Sequence, residues 1–169
     1  MDPFLYRWAL EQLARGDLAS QRLVDRVLRA GKRHCGDERY ASFTATEATA
    51  LVSRLTADGL LDDRRYAEAR LRQMVSRKAG LRAIRGKMLT RQLERTVVDA
   101  VLEDFKRAGN PQDFTRIIAL TRERRKKLEA KYAGDRQARE KIKRGLYGFL
   151  ALKGYPADDI GKILRATDS

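Results

Sequence analysis

Leu93-Glu94-Arg95-Thr96-Val97-Val98-Asp99-Ala100-Val101-Leu102-Glu103-Asp104-Phe105 is the stretch on which the fold turns. Its valines favour strands by propensity, yet no period-two alternation persists. Leu93, Val97, Val98, Val101, Leu102 and Phe105 instead recur at helical spacing, and Asp99 and Glu103 fall on the opposite face. Working outward, Ala48, Leu51, Val52 and Leu55 make the same stripe, and no stretch reads convincingly as a strand. The chain is therefore expected to be all-α, with about nine helices near 3–15, 19–30, 45–58, 63–79, 81–91, 94–107, 111–130, 135–153 and 157–165. Start signals agree: Thr44 can cap with Glu47 three residues on, Asn110 precedes Pro111, and Tyr155 precedes Pro156. Gly31, Gly59, Gly109 and Gly154 stand just past apolar stripes as stops.

An internal echo appears when the helices are aligned. Leu23, Val27, Leu28 and Gly31 match Ile84, Met88, Leu89 and Gln92, and a weaker version is Leu146, Phe149, Leu150 and Gly154, followed by Ile160, Ile163 and Leu164. Chance matches of this quality occur in any all-helical chain, so periodicity alone leaves the repeat open. If real, it predicts an elongated tandem array of three three-helix repeats, 1–62, 63–108 and 109–169. Residues 31–44 lack periodicity and read as a long, mobile loop inside the first repeat.

The chain has 169 residues, 43% hydrophobic and 36% charged, enough for one or two cored domains with an ionic surface. Its 37 Lys and Arg against 23 Asp and Glu give a net charge of +14. Residues 1–63 carry −1, 64–95 carry +9, 96–121 carry −1, 122–144 carry +7 and 145–169 are neutral. A solvated coat would spread this excess; gathering it into two blocks suits a partner rich in phosphate or carboxylate. Arginine outnumbers lysine nine to two in the first block, which favours bidentate contacts. Aromatic residues are sparse among these charges, so base stacking has weak support from sequence.

Enzyme signatures fail one by one. Gly80 to Gly86-Lys87-Met88 has neither the spacing nor the final hydroxyl of a phosphate-binding loop, and Ile84 commits that backbone to a helix. The lone His34 has no triad arrangement, and with the lone Cys35 it is too few for a zinc site or an intrachain disulfide. Asp62 and Asp63 precede a basic helix and read as caps; Asp158 and Asp159 fit the first turn of the last helix. A non-enzyme without metal or cofactor is expected. Met1-Asp2-Pro3 opens no cationic leader and no apolar run is long enough to span a bilayer, so a cytoplasmic protein with no membrane contact is expected.

Placed on helices, Ala67, Leu71, Met74 and Val75 form a buried stripe with Arg65, Arg72, Arg77 and Lys78 off it, while Ile84, Met88 and Leu89 look inward and Arg82, Arg85 and Arg91 elsewhere. Asp62, Asp63, Tyr66, Ile84 and Tyr155 read as structural. The candidate binding residues are Arg64, Arg65, Arg70, Arg72, Arg77, Lys78, Arg82, Arg85, Lys87 and Arg91, then Arg122, Arg124, Arg125, Lys126, Lys127, Lys141, Lys143 and Arg144. Such a surface suits an acidic protein partner, a nucleic-acid backbone, or both.

The residues also carry a family resemblance. Asp58-Gly59-Leu60-Leu61-Asp62-Asp63-Arg64-Arg65-Tyr66-Ala67-Glu68-Ala69 resembles the central motif of the RecX family of recombinase regulators, and Gly80-Leu81-Arg82-Ala83-Ile84-Arg85 is similar to the motif that follows it. Leu150-Ala151-Leu152-Lys153-Gly154-Tyr155, with Ile160 and Ile163, resembles the third repeat of that family. The family commonly has glycine where Gln92 stands, and the 31–44 loop is longer than usual. The resemblance implies three tandem three-helix repeats. It also implies a monomeric negative regulator of homologous recombination and the SOS response that lies in the groove of the RecA filament. There it would inhibit filament growth, ATPase, strand exchange and coprotease activity, and bind single- and double-stranded DNA weakly. A helical DNA- or RNA-binding protein acting without a recombinase is the alternative reading.

Overall fold

The structure, a computed structural model, describes residues 1–108 and 114–168. Among these residues every regular element is a helix: α1 (Pro3–Ala14), α2 (Ser20–Arg33), a short 3-10 turn (Glu38–Tyr40), α3 (Ala45–Ala57), α4 (Asp63–Ser76), α5 (Leu81–Leu89), α6 (Arg95–Arg107), α7 (Thr115–Lys131), α8 (Ala138–Leu152) and α9 (Ala157–Asp168). The expected starts at Asn110–Pro111 and stop at Gly109 lie outside the described residues. The chain divides into two compact units, one of Met1–Arg70 with Met88–Val101 and the other of Leu71–Lys87 with Leu102–Ser169.

The first unit packs α1, α2 and α3 through Leu5, Ala9, Leu23, Val27, Leu51 and Leu55. Asp2 caps α1 by accepting from the Phe4 amide at 2.7 Å, with Pro3 in the first turn, where its missing donor costs nothing. The Ser42 hydroxyl and then the Phe4 amide, both donating to Asp2, hold its carboxyl below the usual carboxylate range. Thr44 caps α3 as expected, accepting from the Glu47 amide at 3.3 Å.

Segment 31–44 is not the free loop that the sequence suggests. Helix α2 runs on to Arg33, and Phe43 is buried, with Tyr40 at 4.7 Å, Trp8 at 5.3 Å and Phe4 at 6.0 Å between ring centroids. Two aromatic residues of the segment, Tyr40 and Phe43, anchor it, too few to set a helical period, which hid the packing. Gly31 is thus no stop. It lies inside α2, where a Cβ would fall 2.7 Å from the Phe43 carbonyl oxygen, so its role is close approach. Gly59 and Gly154 do end helices in the left-handed region, at φ 71 and 86.

The paired carboxylates after Gly59 divide their work. Asp62 accepts from the Arg65 amide at 2.9 Å and caps α4. Asp63 turns to α2, whose cap residue Ala19 has no side-chain acceptor, and takes the Ser20 amide at 2.8 Å and the Ser20 hydroxyl at 3.0 Å. One acidic pair therefore caps two helix starts. The departure at Gln92 is also resolved. Its φ of 64 is the conformation glycine would take, and its carboxamide donates to Asp25, a bond that glycine lacks.

In the second unit Ile117, Leu150, Tyr155, Ile160 and Ile163 gather where α7, α8 and α9 meet. The start of α5 docks on the turn between α8 and α9: the Gly80 amide donates to the Lys153 carbonyl at 2.9 Å. A Cβ on Gly80 would lie 2.3 Å from the Gly154 carbonyl, and one on Gly154 would lie 2.4 Å from the Ala83 Cβ. Two glycines are thus required by a backbone-to-backbone contact.

Tyr155 seals this unit. It is 5% exposed, and its hydroxyl donates to the carbonyl of Lys78, which ends α4 at a left-handed φ of 61. Burial, and then the Asp159 carboxylate, push the Tyr155 phenol up to about 12. The folded chain therefore keeps a proton that the unfolded chain loses near pH 10, so stability is undiminished below pH 10 and falls as the pH climbs toward 12. Denaturant midpoints measured across that window should decline less steeply in Tyr155→Phe than in the parent. An unchanged slope would place the titration elsewhere.

Candidate nucleic-acid interface

The tertiary structure redistributes the charge more sharply than the sequence does. The second unit carries 23 Lys and Arg against 10 Asp and Glu, a net +13, and the first carries 14 against 13, a net +1. The first basic block is divided between them: Arg64, Arg65, Arg70 and Arg91 belong to the first unit, and Arg72, Arg77, Lys78, Arg82, Arg85 and Lys87 to the second. All of the second block lies in the second unit. A polyanion-binding surface belongs on the unit with the excess.

Within the first unit, the candidates are largely occupied. Arg64 pairs with Glu68 at 3.1 Å. Arg70 and Arg91 donate to the hydroxyl of buried Tyr66 at 3.4 and 3.5 Å, with the Arg70 guanidinium 5.5 Å from the ring. Burial alone would raise the Tyr66 phenol, but these two guanidinium groups outweigh it and lower the phenol below its ordinary value. Arg91, expected to project outward, is half-buried and turned toward Tyr66. Arg65 is exposed.

In the second unit the residues separate into holders and outward cations. Arg122 donates to the Ala166 carbonyl at 3.0 Å and Arg125 to the Thr167 carbonyl at 3.3 Å, so α7 caps the end of α9. Arg125 also pairs with Asp168 and, at 3.6 Å, with Glu129. These are the last carbonyls of a helix, where cations satisfy acceptors and oppose the dipole. Lys141 pairs with Asp135 at 2.6 Å. Arg124 lies 5.5 Å above the Phe149 ring. Arg72, Arg77, Arg82, Lys87, Lys126, Lys127, Lys143 and Arg144 are exposed; Lys78 and Arg85 are half-buried. The outward cations on α4 and α5 and those on α7 and α8 form the candidate contact set, a geometry suited to phosphate or carboxylate recognition.

Sequence reasoning passed over Tyr147. It stands on α8 one turn beyond Lys143 and Arg144, 46% exposed and off the stripe of buried Leu146 and Leu150. The signal was its position on the outward face, which the charge count does not register. Among the described residues, no group of three or more His, Cys, Asp or Glu could hold a metal ion, and no helix is long and apolar enough to cross a membrane.

A family model described as RecX, second three-helix domain, matches residues 62–102. The Regulatory protein RecX of Ectopseudomonas mendocina is 33% identical over 119 residues, covering 69% of this chain and 71% of that protein. That of Pseudomonas putida strain W619 is 31% identical over 119 residues, covering 69% and 68%. That of Mycolicibacterium vanbaalenii is 30% identical over 109 residues, covering 64% of this chain and 58% of the relative, less than two thirds of its length. The crystal structure of RecX from Lactobacillus salivarius shares the fold, with a TM-score of 0.72 over 97% of this chain and 94% of that chain at 19% identity.

Proposed function

The chain belongs to the RecX family of regulatory proteins, and from that premise we propose that it is a negative regulator of homologous recombination and the SOS response. In this reading it binds the RecA nucleoprotein filament in its groove as a monomer in the cytoplasm. It inhibits filament growth, ATPase, strand exchange and coprotease activity by occupancy, without catalysis of its own. The helices group in threes as tandem repeats, 1–62, 63–108 and 109–169. The observation that carries this reading is the gathering of net +13 on the second unit while the first is almost neutral. A cationic unit suits the phosphates of filament-bound DNA, and a near-neutral unit suits protein contact in the same groove. Because counterions leave on binding, affinity falls as salt rises.

The test is ATP hydrolysis by the cognate RecA on single-stranded DNA, with this protein titrated in and DNA binding measured separately at the same salt. Inhibition at ratios too low to cover the DNA is expected. Inhibition only once the protein coats the strand would overturn the reading in favour of independent nucleic-acid binding.

A further inference from the structure

The outer face of α8 has a polarity of its own. Lys143 and Arg144 begin it; Tyr147 follows at 46% exposure, then Gly148, Ala151 and Leu152, the last 89% exposed. At 3.6 residues per turn Arg144, Tyr147, Gly148 and Ala151 share one side of the helix, away from buried Leu146 and Leu150, and Lys143 stands beside Tyr147 one turn before it. A Cβ built on Gly148 would meet nothing within 4 Å, so the helix surface beside Tyr147 is an open shelf. Two adjacent cations, an exposed ring and a small-residue shelf are what a single strand needs: phosphates at the charges and a base on the ring.

We propose that this face takes a single-stranded nucleic-acid segment, with one base stacked on Tyr147 and the flanking phosphates held by Lys143 and Arg144. The inference rests on the reading of the second unit as the polyanion-binding part of the molecule. A duplex keeps its base faces stacked inside, so Tyr147 contributes to single-strand affinity alone. An acidic protein segment meets the same cations but brings no base to stack on the exposed Tyr147 ring, which is what favours the nucleic acid.

The test uses the full chain without recombinase, a fluorescein-labelled oligothymidine and a duplex of equal length, read by anisotropy over a salt series. Tyr147→Ala should weaken single-strand binding about tenfold and leave duplex binding unchanged, with Tyr147→Phe binding like the parent. Lys143→Ala with Arg144→Ala should weaken both and flatten the salt dependence, by a slope of about 0.7 per lost phosphate contact on the single strand. An oligonucleotide carrying 5-iodouracil should photocrosslink at Tyr147 on peptide mapping, a readout independent of any variant's folding. Equal affinities of Tyr147→Ala and the parent for the single strand, or crosslinks elsewhere, would overturn the proposal. If Tyr147→Ala binds both nucleic acids like the parent yet no longer inhibits RecA, the face is a protein-docking site instead. A parent chain that ignores oligothymidine even at low salt sinks this proposal and leaves filament regulation standing. Intact Tyr147 stacking beside an unaffected RecA ATPase sinks filament regulation alone.

Discussion

Gly154→Ala is expected to lower the thermal midpoint by about 10 °C, the larger of two stability losses at one contact. Two costs combine. Gly154 has a φ of 86, where an L side chain costs about 1–2 kcal/mol, and its new Cβ would meet the Ala83 Cβ at 2.4 Å. Overpacking of that kind costs about 1–3 kcal/mol more, because Ala83 sits on α5 and backbone must move to relieve it. About 3 kcal/mol in total corresponds to that shift for a chain of this size. Gly80→Ala has no left-handed penalty, but its Cβ would fall 2.3 Å from the Gly154 carbonyl, so a smaller loss is expected. Gly86→Ala is the control: it lies within α5 with nothing within 4 Å, and should be neutral or stabilising by about 0.5–1 kcal/mol. Calorimetry or thermal circular dichroism decides the matter. A Gly154→Ala chain that melts like Gly86→Ala would mean that α5 does not dock on the α8–α9 turn.

The largest functional effect is expected from reversing Arg72 and Arg82 together to glutamate. Both are exposed in the cationic unit, one on α4 and one on α5. Losing two phosphate contacts should flatten the salt slope by about 1.4–1.8 and weaken inhibition of RecA ten- to a hundredfold at physiological salt. Their outward placement predicts an unchanged melting temperature. Arg125→Glu supplies the contrast, since Arg125 holds the Thr167 carbonyl and Asp168, and should lower stability as well. Full inhibition by a folded Arg72→Glu/Arg82→Glu chain would remove α4 and α5 from the contact surface.

The same contrast separates what was legible in the chain from what was not. Helix type and most boundaries could be read because burial of Val98, Val101 and Leu102 imposes a 3.6-residue period on a single helix. Asp62 and Thr44 were legible as caps because their acceptors serve amides three residues away. Gly31 was misread because one residue type answers two needs, a left-handed turn and close approach, and only the neighbour decides which. Lys78 and Gln92 end their helices without glycine, so no stop signal marked them.

By itself, then, the sequence determined an all-helical fold, where most of its helices begin, and the gathering of cations into two blocks. Each follows from chemistry within a few residues. Only the tertiary structure decided that Asp63 caps α2, that Arg70 and Arg91 serve Tyr66, that Arg122 and Arg125 close α9, and that the charge excess belongs to one unit with Tyr147 exposed on it. Those partners stand 4 to 44 positions apart along the chain, and Arg70 and Tyr66, the nearest pair, read equally well as a solvated helix face. A cation's role is set by the acceptor that folding brings to it, and that acceptor carries no mark in the local pattern.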